Sequence, residues 1–242
     1  MAYTFRARVR YSECDSEGFL TPFSIVNYMQ DCSTFHSEHL GIGVRCLKEV
    51  HRAWLLSAWH IVIDRYPVFN EVIETGTFAY DFKGIYGMRH FFIRDDAGNY
   101  LVRADSLWFH YNTEEGIPVK PEPALSEPYL QGKEAEDPGM PPLAPANRKL
   151  APPKEGKQGT PILVLPHFLD SNQHVNNARY IDLAQEAAGI FRPKEIAAAY
   201  QHAAVLGDQI IPLVGEKTSD GVISIGLDMP DKKPYAVVKM RI

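Results

Sequence analysis

Three polar residues, Asp170, Asn172 and His174, stand at alternate positions in the stretch FLDSNQHVNNARYIDLAQEA. Side chains two residues apart in an extended segment point to the same side, so these three can converge on one small target. Aspartate is normally ionised near neutral pH, and Asp170 could therefore orient and polarise a water molecule as a general base. Histidine titrates near physiological pH, so His174 could share that water or protonate a leaving group. The Asn172 amide could donate to an oxyanion.

The same stretch is expected to become helical from Val175 onward. The first backbone N–H groups of a helix have no partner within the helix, and they favour negative charge. We therefore predict that the N–H groups of Val175, Asn176 and Asn177 help to stabilise the oxyanion, which completes a site for attack on a carbonyl group. Two alternatives stay open. Asp170 could attack the carbonyl directly through an acyl anhydride, or Asp170 and Asn172 could only cap the helix, with the histidine in the core.

The composition is that of an ordinary globular protein, with 45% hydrophobic and 23% charged residues in a chain of 242, which is long enough to bury a core. A net charge of −5 argues against a nucleic-acid-binding protein, which normally has a basic excess. No run of about 18 apolar residues is present, so no membrane-spanning helix is expected. The first residues alternate charged and apolar side chains, which is not typical of a secretory signal, and we predict a cytoplasmic protein. The cysteines, Cys14, Cys32 and Cys46, lack metal-ligand spacing, and we expect reduced thiols and no metal site.

Hydrophobic periodicity predicts a strand, a helix and then several strands in the first half of the chain. Polar and apolar residues alternate over residues 4–11. Pro22 suits the first turn of a helix that Gly41 or Gly43 would end. Long strand-like stretches follow at residues 52–66, 71–84, 87–98 and 100–112. One helix followed by an antiparallel run of strands predicts an α+β fold with the helix on the sheet.

The second half repeats this order of elements. Residues 160–168 are typical of a strand, and the quoted loop leads into a helix that should carry Tyr180, Leu183, Ala187 and Phe191 on one stripe. Strand-like stretches follow at residues 195–204, 208–218, 221–229 and 234–242. The run DSEGF, which starts at Asp15, aligns without a gap on the run DSNQH, which starts at Asp170. This alignment supports an internal duplication.

A proline-rich stretch separates the two halves. Between residues 117 and 160 prolines are mixed with Glu, Lys and Gly, a composition typical of a linker. We therefore predict an N-terminal domain over residues 1–125, a linker over residues 126–159 and a C-terminal domain over residues 160–242. The polar loop belongs to the C-terminal domain.

The motif, the duplication and the order of elements together carry a resemblance to a known family. The motif Asp-x-Asn-x-His-Val-Asn-Asn-x-x-Tyr is joined in the first half by YSECDSEGFLTPFSIVNYMQD, RAWLLSAWHIVIDRYP and RADSLWFHYNTEEGIPVKP. Over nearly its whole length the chain resembles the bacterial branch of the acyl-ACP thioesterase family. The resemblance implies a tandem, or double, hotdog fold, in which each long helix is wrapped by an antiparallel sheet. The two domains are expected to pack sheet to sheet as one pseudo-dimer.

The resemblance also implies a function, the hydrolysis of fatty acyl-ACP to free fatty acid and acyl carrier protein without a metal or an organic cofactor. The family's acid, amide and imidazole fall on Asp170, Asn172 and His174. Acyl carrier protein would be the partner. An acyl-CoA thioesterase of the same fold and a non-catalytic acyl-thioester-binding protein are the alternatives, and a hotdog dehydratase is less expected. Because the internal pseudo-dimer already supplies the pairing, both a monomer and a homodimer stay open.

One position departs from the family pattern. Family members usually add a glutamate three residues after a strand tyrosine, and here Tyr200 is that tyrosine and Ala203 takes the place of the glutamate. Three explanations stay open. Asp170 and His174 suffice without this glutamate, Glu186 or His202 takes its place, or activity is reduced.

The first half is expected to shape the acyl pocket, as the resemblance implies. Its own loop has Glu17 and Phe19 in the places of the amide and the imidazole, and Phe19 cannot exchange protons, so this loop should serve architecture. Candidates for the walls of an apolar acyl tunnel are Met29, Phe35, Trp54, Trp59, Met88 and Trp108. For each of these residues ordinary core packing is the alternative.

Two basic clusters are candidates for docking acyl carrier protein, which is acidic. The first consists of Arg45, Lys48 and Arg52, and the second of Arg179, Arg192 and Lys194. Either cluster could instead be only a solvated face.

Overall fold

The computed structural model describes residues 2–131 and 137–242. The α-helices in this part of the chain are α1 (Pro22–His39), α2 (Val44–Glu49), α3 (Pro123–Ser126) and α4 (Asn177–Ala188). The strands in it are β1 (Tyr3–Arg8), β2 (Arg52–Ile63), β3 (Val72–Lys83), β4 (Tyr86–Asp95), β5 (Tyr100–Asn112), β6 (Ile117–Pro118), β7 (Lys157–Gln158), β8 (Ile162–Leu163), β9 (Glu195–Tyr200), β10 (Gln209–Val214), β11 (Val222–Asp228) and β12 (Pro234–Arg241). Short 3-10 turns occur at Tyr11–Glu13, Glu127–Leu130 and Pro166–Phe168.

One antiparallel sheet runs through both halves of the molecule. Its strands follow the order β1-β3-β4-β5-β2-β9-β12-β11-β10-β7, with β6 on β5 and β8 on β10 beside this path. β2 and β9 join the halves, in a register that runs from Ala58 opposite Ala199 to Val62 opposite Glu195. The expectation that the two halves pack sheet to sheet is therefore wrong. Their sheets meet edge to edge and share backbone hydrogen bonds.

The start of α1 follows from its capping residues. Oγ1 of Thr21 accepts a hydrogen bond from the N–H of Ser24 (3.2 Å), and Pro22 takes the first helical position, where an N–H would have no partner in the helix. The helix ends at His39, and Gly41 follows with φ of +74°, as the sequence predicts.

The larger of two apolar core clusters in the described residues lies beneath the two long helices. It includes Ile25 and Met29 of α1, Ile181 of α4 and buried residues of the strands of both halves. α1 and α4 also contact each other. The predicted α+β fold, with helices on an antiparallel sheet, is confirmed. None of the helices in the described residues is long and apolar enough to cross a membrane.

Two expectations for the second half are wrong in detail. The strand predicted over residues 160–168 shrinks to β8, because the chain enters a 3-10 turn at Pro166, which has no N–H to give to a sheet. The stripe predicted for the helix does not reach Phe191, because α4 ends at Ala188 and Gly189 follows with φ of +67°. Phe191 is 62% exposed.

The described part of the predicted linker is attached to the sheet by specific contacts. Asp137 accepts hydrogen bonds from Arg94 and Tyr100 of the first half. Nδ1 of His60 lies 2.7 Å from the carbonyl oxygen of Ala144, and the N–H of Ala146 donates to Oδ1 of Asp105 (2.6 Å). Residues 132–136 of this stretch lie outside the described residues. The division into domains at residues 1–125 and 160–242 stays a prediction.

Candidate active site

The loop ahead of α4 is a tight turn organised by Asp170. Oδ1 of Asp170 accepts hydrogen bonds from the backbone N–H groups of Asn172 (2.7 Å) and His174 (3.4 Å), and the N–H of Asp170 donates to the carbonyl of His174 (2.8 Å). Gln173 has φ of +62°, which closes the turn. The loop is therefore not the extended segment that the alternate spacing suggested. The turn nevertheless brings Asp170, Asn172 and His174 to the wall of the same cavity.

That cavity lies mainly in the first half of the molecule. It has a volume of about 390 Å³, which is within the usual range for small-molecule sites. Its apolar lining includes Leu47, Trp54, Leu56, Ala79, Phe82 and Trp108. The polar loop and the segment after β9 extend the wall from the second half. An apolar chamber in one half thus meets the candidate reactive residues of the other half.

Only some of the predicted wall residues line the cavity. Trp54 and Met88 line the cavity, as does Trp108. Met29 and Trp59 are fully buried in the core and do not line it, and Phe35 is 45% exposed on another face of α1, against Phe5. For Met29 and Phe35 the reason is the orientation of α1, and for Trp59 it is the face of β2 on which it lies; both are set by tertiary packing.

The face of α1 that borders the cavity is polar, and our sequence interpretation missed it. It consists of Gln30, Ser33, Thr34 and Ser37. The available signal was their spacing of three, four and seven residues, which places them on one side of a helix.

The cavity also reaches a buried arginine. Arg89 of β4 is 7% exposed, and its Nη1 donates to Nδ1 of His36 (3.0 Å) and to Oγ1 of Thr77 (3.1 Å). Its guanidinium lies 4.9 Å from the ring centroid of Tyr129, whose hydroxyl is 2.7 Å from Oγ of Ser37. Burial lowers the pKa of Arg89, and burial together with Arg89 lowers the pKa of His36 to about 3. His36 is therefore neutral near physiological pH and can accept this hydrogen bond.

The helix start offers fewer free donors than the sequence suggests. Val175 is not helical, and its N–H donates to the carbonyl of Ala204 (2.9 Å). The N–H of Asn176, the N-cap of α4, donates to the carbonyl of Phe168 (2.9 Å). Of the three predicted backbone donors, the N–H of Asn177 is the one without an acceptor among the described residues.

The supporting candidates lie in different places. Glu186 is exposed on α4 and does not line the cavity, so the structure does not bring it to the loop. His202 lines the cavity, with Nδ1 2.9 Å from the carbonyl oxygen of Pro234. Ala203 lines the cavity next to it. Within residues 2–131 and 137–242, no group of three or more His, Cys, Asp or Glu side chains is arranged to hold a metal ion.

Two solved structures share this architecture. An acyl-ACP thioesterase from Bacteroides thetaiotaomicron is 20% identical, with a TM-score of 0.86 over 98% of this chain and 96% of that one. The 12:0-ACP thioesterase from Umbellularia californica is 17% identical, with a TM-score of 0.77 over 100% of this chain and 97% of that one. These similarities confirm the tandem hotdog fold.

Sequence comparison agrees with the structural similarity. Oleoyl-acyl carrier protein thioesterase 1 of Arabidopsis thaliana is 26% identical over 224 residues, which are 83% of this chain and 58% of that protein. The palmitoyl-acyl carrier protein thioesterase of Arabidopsis thaliana is 29% identical over 182 residues, 69% of this chain and 42% of that protein. The chain thus spans about half the length of the curated relatives it matches. The family model for the acyl-ACP thioesterase N-terminal domain matches residues 1–129, more than half of the chain. This chain belongs to the acyl-ACP thioesterase family.

Proposed function

We propose that this protein hydrolyses the thioester of fatty acyl-ACP to free fatty acid and acyl carrier protein. The observation that carries the proposal is that Asp170, Asn172 and His174 border a cavity of about 390 Å³ that has apolar walls in the first half of the molecule. A thioester at the loop would place its alkyl chain against the apolar walls of that cavity. Membership of the acyl-ACP thioesterase family supports this chemistry.

Asp170 is the candidate general base. Its Oδ1 is committed to the turn through two backbone N–H groups, whereas Oδ2 has no hydrogen-bond partner among the described residues. Oδ2 can therefore accept a proton from an attacking water while Oδ1 keeps the loop in shape. One carboxylate can thus hold the turn with one oxygen and act as a base with the other.

His174 and Asn172 complete the reaction site. The imidazole of His174 can protonate the leaving thiolate or share the water, because an imidazole has nitrogens that can donate and accept a proton. The carboxamide of Asn172 and the N–H of Asn177 can donate to the oxyanion of the tetrahedral intermediate. Removal of one such donor typically lowers kcat by about 10²–10³-fold.

Acyl carrier protein is the proposed carrier, and it would dock at the basic cluster Arg45, Lys48 and Arg52. Lys48 and Arg52 line the cavity, and Lys48 is exposed with no ion-pair partner among the described residues. In both clusters the arginines are ion-paired, Arg45 with Glu49 and Arg52 with Glu122 in the first, Arg179 with Asp182 and Arg192 with Glu17 in the second. The first cluster is favoured because Lys48 places at the cavity a positive charge that is unpaired within the described part of the chain, whereas no residue of the second cluster lines it.

The decisive experiment measures thiol release from medium- and long-chain acyl-ACPs and the matching acyl-CoAs. Wild-type protein is compared with Asp170→Asn and His174→Ala, with circular dichroism as the control for folding. We expect turnover that favours acyl-ACP and that falls strongly in both variants. Turnover that favours acyl-CoA would contradict the proposed carrier.

A non-catalytic acyl-thioester-binding protein is the second candidate, and Ala203 favours it. Ala203 lines the cavity in the position where the family resemblance implies a glutamate. If acyl-ACP binds and no thiol is released, the binding function is supported and hydrolysis is contradicted. The variant Ala203→Glu separates the two candidates further, because it should raise turnover if the chain is an enzyme that works without this carboxylate.

A further inference from the structure

Gln30 belongs to α1 of the first half, yet its side chain reaches the start of α4 in the second half. Its Nε2 donates to Oδ1 of Asn176 (3.4 Å), and its Oε1 accepts from Nδ2 of Asn177 (3.3 Å). Gln30 also lines the cavity. One carboxamide therefore touches both residues at the beginning of the helix that follows the polar loop.

The residues that Gln30 holds define the geometry of this helix start. Oδ1 of Asn176 caps α4 by accepting from the N–H of Ala178 (2.8 Å), and Gln30 donates to the same oxygen. The carbonyl oxygen of Asn177 accepts from the hydroxyl of Tyr200 (2.9 Å). Gln30, the cap formed by Asn176 and the hydroxyl of Tyr200 thus fix the backbone around Asn177. The N–H of Asn177 has no acceptor among the described residues.

The equivalent glutamine of the second half behaves differently. The gap-free alignment of the two loops continues to Gln30 on Gln185, but Nε2 of Gln185 donates to the carbonyls of Ile190 (3.0 Å) and Phe191 (2.8 Å) within its own half. The helix start that Gln185 would otherwise reach has Pro22 at its first position, which has no N–H. Of these two equivalent glutamines, Gln30 contacts the helix start of the other half and Gln185 does not.

We propose that Gln30 is a positioning residue for thioester hydrolysis, an inference that rests on the proposed function. It holds the side chains of Asn176 and Asn177 so that the N–H of Asn177 faces the thioester oxygen. The reaction site then requires both halves of the chain, because the first half contributes this carboxamide as well as the acyl chamber. Gln30 acts indirectly, by fixing the position of the Asn177 N–H that donates to the oxyanion.

The variant Gln30→Glu gives the sharpest test. A carboxylate keeps the acceptor for Nδ2 of Asn177, loses the donor to Oδ1 of Asn176, and places a negative charge near the developing oxyanion. We expect kcat to fall by about 10-fold or more near pH 8 with little change in KM. The deficit relative to wild type should shrink as the pH is lowered from about 6 to about 4, because a glutamate of ordinary pKa, about 4.3, becomes protonated in this range and its carboxyl group donates again.

Two further variants make the test specific. Gln30→Met removes both hydrogen bonds without adding charge, and its kcat deficit should be the same at every pH. Asp31→Asn changes the next residue of α1, which is exposed and does not line the cavity, and should leave kcat and its pH profile unchanged. Thermal unfolding of all variants identifies any loss that is due to misfolding.

Three results would overturn the inference. The Gln30→Glu deficit could be identical at all pH values, Gln30→Met could raise KM without lowering kcat, or both variants could match wild type. A wild-type protein that releases no thiol from any acyl thioester is a different result, because it contradicts the proposed function and the inference together.

Discussion

Two loops, one ahead of α1 and one ahead of α4, can be compared residue by residue. In the first, Oδ1 of Asp15 accepts from the N–H groups of Glu17 (2.9 Å) and Phe19 (3.0 Å), and the N–H of Asp15 donates to the carbonyl of Phe19 (2.8 Å). In the second, Asp170 makes the corresponding hydrogen bonds within its own turn. Both turns close with a residue at positive φ, Gly18 at +84° and Gln173 at +62°. The two backbones are therefore built by the same hydrogen-bond pattern.

The side chains of the two loops face different surroundings. The guanidinium of Arg192 lies 4.5 Å from the ring centroid of Phe19 and pairs with Glu17, so the first loop is covered by an arginine of the second half. Asn172 and His174 instead line the cavity. The aspartate thus makes the turn in both halves, and the residues two and four positions later determine whether the turn can also do chemistry.

The largest expected effect separates the two aspartates. Asp170→Asn should lower kcat for acyl-ACP by about 10²–10⁴-fold, because an amide cannot serve as general base. Asp15→Asn should leave kcat unchanged, since that loop does not border the cavity. Oδ1 of an asparagine still accepts the backbone hydrogen bonds, so both variants should fold. Thiol-release assays and urea unfolding measure the two quantities, and equal losses of kcat would remove the functional difference between the loops.

The next effect concerns the residue that closes each turn. Gly18→Ala should destabilise the protein by roughly 1–2 kcal/mol, because an L-residue at positive φ is strained. A Cβ at Gly18 would meet Phe69 at an ordinary 4.0 Å, so no clash contributes. Gln173→Gly should stabilise by roughly 0.5–1 kcal/mol through relief of the same strain. Urea unfolding gives both free energies, with Gln173→Ala as the control that keeps the strain, and changes of the same sign would show that the turns are not equivalent.

Charge changes should distinguish the two basic clusters. Lys48→Glu should lower kcat/KM for acyl-ACP about 3- to 10-fold at low salt, because a free charge at the cavity steers an acidic carrier. The effect should fade at high salt, where the charges are screened. Arg192→Gln should cost only about 0.5–1 kcal/mol of stability and leave kcat/KM unchanged, since its partners are Glu17 and Phe19. A larger kinetic effect from Arg192 would move the docking surface to the second cluster.

The last expected effect is in the pH dependence of stability. His110 of the first half is fully buried against Trp54, and burial lowers its pKa from 6.5. Below about pH 6.5 the unfolded chain binds a proton on this imidazole while the folded chain does not, so the free energy of unfolding falls as the pH falls. His110→Phe should reduce this dependence between about pH 7 and pH 5. His167→Ala, an exposed change in the second half, should leave the dependence unaltered, and a flat profile in wild type would contradict the prediction.

Much of the local structure could be predicted from the sequence. β5 occupies the residues that alternation indicates, Tyr100–Asn112, and α1 begins at Pro22. Both follow from short-range causes, since side-chain alternation and N-terminal capping depend on residues a few positions apart. The polar identities at Asp170, Asn172 and His174 likewise stand in one short stretch, which is why they could be found without a structure.

The order of the elements, the turn-forming loops and the chemistry of the second loop therefore follow from the order of residues in the chain. The tertiary structure decided which residues surround that loop. Trp54 lines the cavity whereas Trp59 of the same strand does not, and Gln30 touches α4 from the other half of the chain. The edge-to-edge joining of β2 and β9 is of the same kind. These are contacts between segments far apart in the chain, and local periodicity has no information about which face of one element packs against another.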